Sequence, residues 1–133
     1  MDWIPFTPTW LNSGSPNELG NGTLTGRYRQ ESPSTMNLYL SLIIGSTTVP
    51  GSGYWSFGGI PLLARIQNGL PVLAYHATAG PYLGVAFWSQ PCILLPWRAG
   101  IQGGVYPAPM DGNTPFIWGV GDMLQMQGTY EIT

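Results

Sequence analysis

Between Thr35 and Ile44 apolar and polar residues alternate one by one. Met36, Leu38, Leu40, Leu42 and Ile44 fall on one side, and Asn37, Tyr39 and Ser41 on the other. A helix turns 100° per residue and would scatter those five apolar positions around its circumference, whereas the period of two of a strand lines them up. The same period governs the C-terminal stretch Met123–Ile132. There Leu124, Met126, Gly128 and Tyr130 alternate with Gln125, Gln127, Thr129 and Glu131. Thr23–Gln30 reads as a third strand, with Leu24 and Tyr28 set against Arg27 and Arg29. Tyr54–Phe57 is a short one. Val72–Thr78 and Tyr82–Ser89 form a hairpin around Ala79-Gly80-Pro81. Gln90–Trp97 is a further strand interrupted by Pro91 and Pro96, and Phe116–Val120 is read as extended. Leu62–Asn68 is the one stretch suited to a helical turn, stopped by Gly69 and Pro71. Gly100–Thr114 is loop-rich. Nineteen Gly and thirteen Pro leave long helices little room. The pattern predicts an all-β chain, a single jelly-roll-like β-sandwich of seven or eight strands.

The domain is assigned to residues 17–133, preceded by an extended N-terminal arm over residues 1–16. Pro5 and Pro8 hold the arm in extended backbone, and Trp3, Ile4, Phe6 and Trp10 give it apolar anchors. These anchors suit docking to a neighbouring subunit. On this reading, deleting residues 1–10 abolishes incorporation into a larger assembly and spares the domain's fold.

Charge changes the picture most. Only 8% of the 133 residues are charged, against about 25% in an ordinary soluble domain. The cations are Arg27, Arg29, Arg65 and Arg98, with no Lys, against six acids. Interfaces deplete Lys, Glu and Asp while keeping Arg and aromatic residues, and this chain has six Trp, seven Tyr and four Phe. The composition therefore points to assembly, a homo-oligomer being expected. A net charge of −2 runs against nucleic-acid binding, which needs a basic face. No apolar run approaches the roughly 20 residues that cross a bilayer, so membrane insertion is not expected. Met1–Trp10 lacks the basic start and apolar centre of a signal peptide. Cys92 is alone and lies in an apolar run, the setting of a buried inert thiol.

Catalytic chemistry is thinly represented. His76 is the only histidine and sits within a strand pattern, without a Gly-x-Ser-x-Gly elbow elsewhere. Two carboxylates would serve a glycosidase, but Asp111 and Asp122 each adjoin Gly and read first as turn residues. No catalytic residue, metal site or cofactor is expected. A carbohydrate-binding role is the stronger alternative, since aromatic faces stack on sugar rings. Tyr54, Trp55, Trp88, Trp97, Tyr106 and Trp118 are its candidates, with core or inter-subunit packing as the competing role of the same rings. Arg27 and Arg29 share one strand face and call for carboxylates opposite, from Glu31, Glu131 or a partner, or else for a ligand anion. Arg98, following Pro96-Trp97, suits a stacked interface position. The assembly candidates are thus Trp3, Phe6, Trp10, Arg27, Arg29 and Arg98.

Several motifs occur in a recognisable order: Thr7-Pro8-Thr9-Trp10, Asn21-Gly22-Thr23-Leu24-Thr25-Gly26-Arg27-Tyr28, Gly53-Tyr54-Trp55-Ser56-Phe57, and the run from Gly121-Asp122 to Tyr130-Glu131. In this the chain resembles a β-domain recurring in bacteriophage minor tail and other virion proteins. The resemblance implies a structural protein of the virion, tail-associated or capsid-decorating, assembled in the host cytoplasm and commonly homotrimeric. It also implies contacts with other virion proteins, or a receptor- or carbohydrate-binding module at a tail or fibre tip that meets a host surface glycan.

Overall fold

A computed structural model of the chain describes residues 2–13, 15–51, 53–61, 69–90, 93–99 and 108–132. The expected helical turn at 62–68, Arg65, Cys92 and Tyr106 lie outside the described residues. All regular structure within them is β: β1 (Ile4–Phe6), β2 (Thr9–Asn12), β3 (Ser15–Pro16), β4 (Thr23–Ser32), β5 (Thr35–Ile43), β6 (Trp55–Gly58), β7 (Gly69–His76), β8 (Gly80–Gln90), β9 (Ile93–Arg98), β10 (Ala108–Pro109) and β11 (Met123–Glu131). They form one antiparallel sheet in the order β1-β4-β5-β11-β7-β8-β9-β6-β2-β3, with β10 paired to β9.

The alternation in β5 sets the core. Met36, Leu38, Leu40 and Leu42 are buried, as is Ile44 just beyond the strand. β5 lies between β4 and β11, with Leu40 opposite both Gly26 and Met126. Leu124, Met126 and Tyr130 of β11 and Leu70, Val72 and Ala74 of β7 turn to the same side. So do Trp55 and Phe57 of β6 and Trp10 of β2, which belong to the same apolar cluster although they lie at the far end of the strand order. One core shared by both ends requires the sheet to curl over itself, as in a sandwich or half-barrel.

The N-terminal segment makes that curl possible. It is extended, as its prolines require, and its backbone hydrogen bonds run to the chain's own sheet. β1 pairs with β4, Ile4 facing Tyr28, while β2 pairs with β6, Trp10 facing Phe57. Only Thr7 and Pro8 separate the two strands, a reach of about 10 Å from Phe6 to Thr9. One segment therefore ties the two ends of the sheet together. Gly26 permits this close approach: a Cβ there would lie 2.7 Å from the Phe6 ring and 2.9 Å from Pro8. Phe6 packs edge-on to Tyr28, ring centroids 5.9 Å apart, at the margin of the core.

The predicted hairpin is present, with His76 opposite Gly80 and Tyr75 opposite Pro81. Phe116–Val120, expected to be extended, carries no strand. Its rings still face inward, with Phe116 and Trp118 buried against each other at 4.4 Å. An irregular segment can fill a core without joining the ladder, provided its backbone polar groups find other partners. Here the Trp118 amide donates to the Gly112 carbonyl, and its indole donates to the Thr114 carbonyl.

Candidate binding and assembly surfaces

The outer surface of the curled sheet divides into two unlike halves. Along the middle of β8, from Leu83 to Phe87, the large residues point outward. Leu83 is 71% exposed and Phe87 50%, with Val85 between them, while the inward positions hold the small residues Gly84 and Ala86. A Cβ on Gly84 would collide with the Trp97 carbonyl oxygen, so only glycine lets β9 lie this close. Across the ladder Leu83 faces Leu73, and Val85 faces both Pro71 and Trp97. Phe87 faces Leu95 and meets Trp97 edge-on at 6.3 Å. Tyr75 continues the row. Among the described residues the outer face of β7, β8 and β9 is thus apolar and bears no charge. Near-continuous apolar strands of this kind are normally buried on both faces; these are covered by their own chain on one.

The outer face of β4, β5 and β11 is polar. Register places Arg27, Tyr39 and Gln127 in one row across it and Arg29, Asn37 and Thr129 in the next. Trp3 lies over the arginines, with the Arg27 guanidinium carbon 4.9 Å and that of Arg29 4.8 Å from its ring centroid. Arg27 also sits 4.6 Å from the Tyr39 ring. Arg29 finds the expected carboxylate in Glu31 at 3.3 Å, and Glu31 in turn accepts from the Asn37 amide. The Thr129 hydroxyl donates to the Asn37 carbonyl oxygen at 2.6 Å, and the Gln125 amide donates to the Tyr39 hydroxyl at 2.9 Å. Among the described residues no acid pairs with Arg27.

The remaining sequence-derived candidates separate by burial. Trp10, Trp55, Trp88 and Trp118 are core residues, which corrects their assignment to an interface or to a sugar platform. No ligand ring reaches a face packed as Trp55 is, 5.1 Å from Trp10 and 4.9 Å from Trp118. Tyr54 and Trp97 do reach the surface, and Phe6 packs on the core margin. Arg98 ends β9, half-buried, and its Nε has no hydrogen-bond partner among the described residues. Of the apolar face, the sequence singled out Trp97 alone. The signal for the rest was the run Leu83-Gly84-Val85-Ala86-Phe87, which puts large residues on one side and small ones on the other.

The two candidate carboxylates are committed to turns. Asp111 Oδ1 accepts the Asn113 amide at 2.8 Å. Asp122 is buried; Oδ1 accepts the Ala77 amide at 2.8 Å and Oδ2 the Gly119 amide at 2.7 Å. His76 Nδ1 lies 3.2 Å from the same carboxylate, its ring stacked on Phe116 at 4.6 Å. Asp122 thereby ties the β7–β8 turn to the start of β11. Asp122→Ala removes the buried carboxylate that accepts the Ala77 and Gly119 N–H groups, and two charge-assisted hydrogen bonds with it, an expected loss of roughly 2–5 kcal/mol. Urea titration measures it, and a loss below about 1 kcal/mol would contradict this role. Asp122→Asn keeps one acceptor oxygen and is expected to fall between.

Fold and surfaces together define a charge-poor, all-β module with one apolar and one polar outer face and with its candidate acids used structurally. By sequence it is similar to the Mu-like prophage FluMu defective tail fiber protein of Haemophilus influenzae. The two are 34% identical over 125 residues, covering 86% of this chain and 18% of that protein. The chain thus spans less than a fifth of its relative's length. No family model and no solved structure matches the chain.

Proposed function

We propose that this chain is a structural module of a phage tail, which acts by assembling with copies of itself and with neighbouring virion subunits rather than by turnover. The observation that carries the reading is the uncharged apolar face of β7, β8 and β9, set beside the similarity to a tail fibre protein. Exposed apolar patches on monomers rarely exceed about 300–600 Å², and a stable interface takes about 800 Å² from each partner. A second copy is the occupant that best suits the face. Copies that turn this face toward a shared rotation axis bury it together, and a face without charge brings no like charges together there. A homotrimer is the assembly the virion resemblance implies. Non-enzymatic action accords with Asp111 and Asp122 both being held by backbone amides.

Light scattering on the purified chain tests the self-association. The wild type is expected at a multiple of the monomer mass. Leu83→Asp combined with Phe87→Glu is expected at the monomer mass with unchanged circular dichroism, because both side chains already face outward. A monomeric wild type at about 100 μM would defeat the self-assembly reading. Gold labelling of intact particles tests the tail assignment, and label confined to the head would overturn it.

A further inference from the structure

The polar face carries a second feature, distinct from the apolar one. Beyond the Val72–Met126 pair, where the β7–β11 pairing ends, lies a concavity of about 280 Å³. Trp3, Arg27, Asn37, Tyr39, Gln127 and Thr129 are among the residues that line it. We propose that this concavity binds an acidic sugar residue, with its carboxylate or phosphate on Arg27 and its hydroxyls on Gln127 and Thr129.

Three observations carry the assignment. The first is the contrast between two neighbouring arginines. Arg29 is neutralised by Glu31, whereas Arg27 has the Trp3 and Tyr39 rings against it and no carboxylate among the described residues. Ring contact stabilises and orients a guanidinium while leaving its N–H donors for an anion. A planar, preordered fork of this kind suits a carboxylate or phosphate. The second is the hydrogen-bonding capacity around it. The Gln127 amide has no side-chain hydrogen bond among the described residues, and the Thr129 hydroxyl oxygen keeps acceptor capacity while donating to Asn37. Amides and hydroxyls grouped about one cation match a ligand that carries both hydroxyls and a charge. The third is size. The volume, about 280 Å³, falls just short of the roughly 300–1,000 Å³ of drug-sized sites, which suits a single sugar ring better than a peptide segment. Pro71 and the Trp3 ring supply an apolar wall for the ring's C–H face.

Titration of the purified chain followed by NMR tests the proposal, with glucuronate as probe, glucose as its neutral twin, and acetate and inorganic phosphate as anions without the sugar. Glucuronate is expected to bind with a Kd of about 1 mM and at least about tenfold more tightly than glucose, acetate or phosphate. Arg27→Gln is expected to abolish that preference. Gln127→Ala, which removes no side-chain hydrogen bond among the described residues, should weaken glucuronate about threefold or more at an unchanged Tm. The monomeric Leu83→Asp/Phe87→Glu chain should bind as the wild type does, so failure here and failure of self-assembly are separately visible. Equal binding of glucose and glucuronate, phosphate or acetate binding as tightly as glucuronate, no binding of any probe at about 20 mM, or a preference that survives Arg27→Gln would each overturn it.

Discussion

Trp55→Ala is expected to lower the melting temperature by about 10–20 °C and to leave much of the protein insoluble on expression. The indole is fully buried, edge-on to Trp10 at 5.1 Å and to Phe57 at 6.5 Å, and tilted against Trp118 at 4.9 Å. Its Nε1 donates to the Pro50 carbonyl at 3.1 Å. Truncating a buried Trp costs about 3–5 kcal/mol, a large share of the 5–15 kcal/mol or so that stabilises a domain. Trp55→Phe keeps most of the ring volume and loses the indole donor, so it should cost about half as much. Thermal denaturation followed by circular dichroism measures both. A shift under about 3 °C for Trp55→Ala would mean that the four-ring cluster does not hold this end of the core.

Removal of residues 1–12 is expected to have an effect at least as large. Taken as an arm, the segment should be dispensable for folding and needed for incorporation. Its place in the sheet predicts the reverse order of events. Truncation takes away β1 and β2, the Trp10 ring from the core, Phe6 from its margin and Trp3 from the arginines. It also cuts the link between the two ends of the sheet, exposing unpaired edges at β4 and β6. The truncated chain should be aggregation-prone, with Tm lowered by about 20 °C or more. A soluble truncated chain with wild-type Tm would restore the arm as an appendage. Substitution at Trp3 alone is the milder experiment, since that ring lies on the polar face outside the core.

Much of the fold was legible from spacing. The runs in β5 and β11 name their own buried faces, because a period of two admits no other arrangement once one side is apolar. The β7–β8 hairpin follows from its Gly-Pro turn, and Asp122 reads as a turn residue. The candidate surfaces were harder to read. Arg27 and Arg29 could be placed on one face, and Glu31 proposed as a partner, but not which arginine it would take. The aromatic residues beside glycine and proline, Trp55 and Trp118 among them, have no alternation to assign their side, so their burial waited on the tertiary structure. In β8 and β9 apolar residues occupy both faces. Periodicity is silent there, and only the curl of the sheet decided that Leu83, Val85 and Phe87 face outward.

The sequence by itself determined that this protein is all-β, which residues of β5 and β11 build its core, and that its surface is poor in charge. Tertiary structure alone decided where the N-terminal segment pairs, and so how the sheet curls into one core. It also gathered Trp3, Arg27 and Gln127, which are far apart in the chain, into one concavity. The physical reason is the range of the interactions. Side-chain alternation is local and written along each strand, whereas strand partners, and the surface left over when they have paired, depend on contacts between residues distant in the chain.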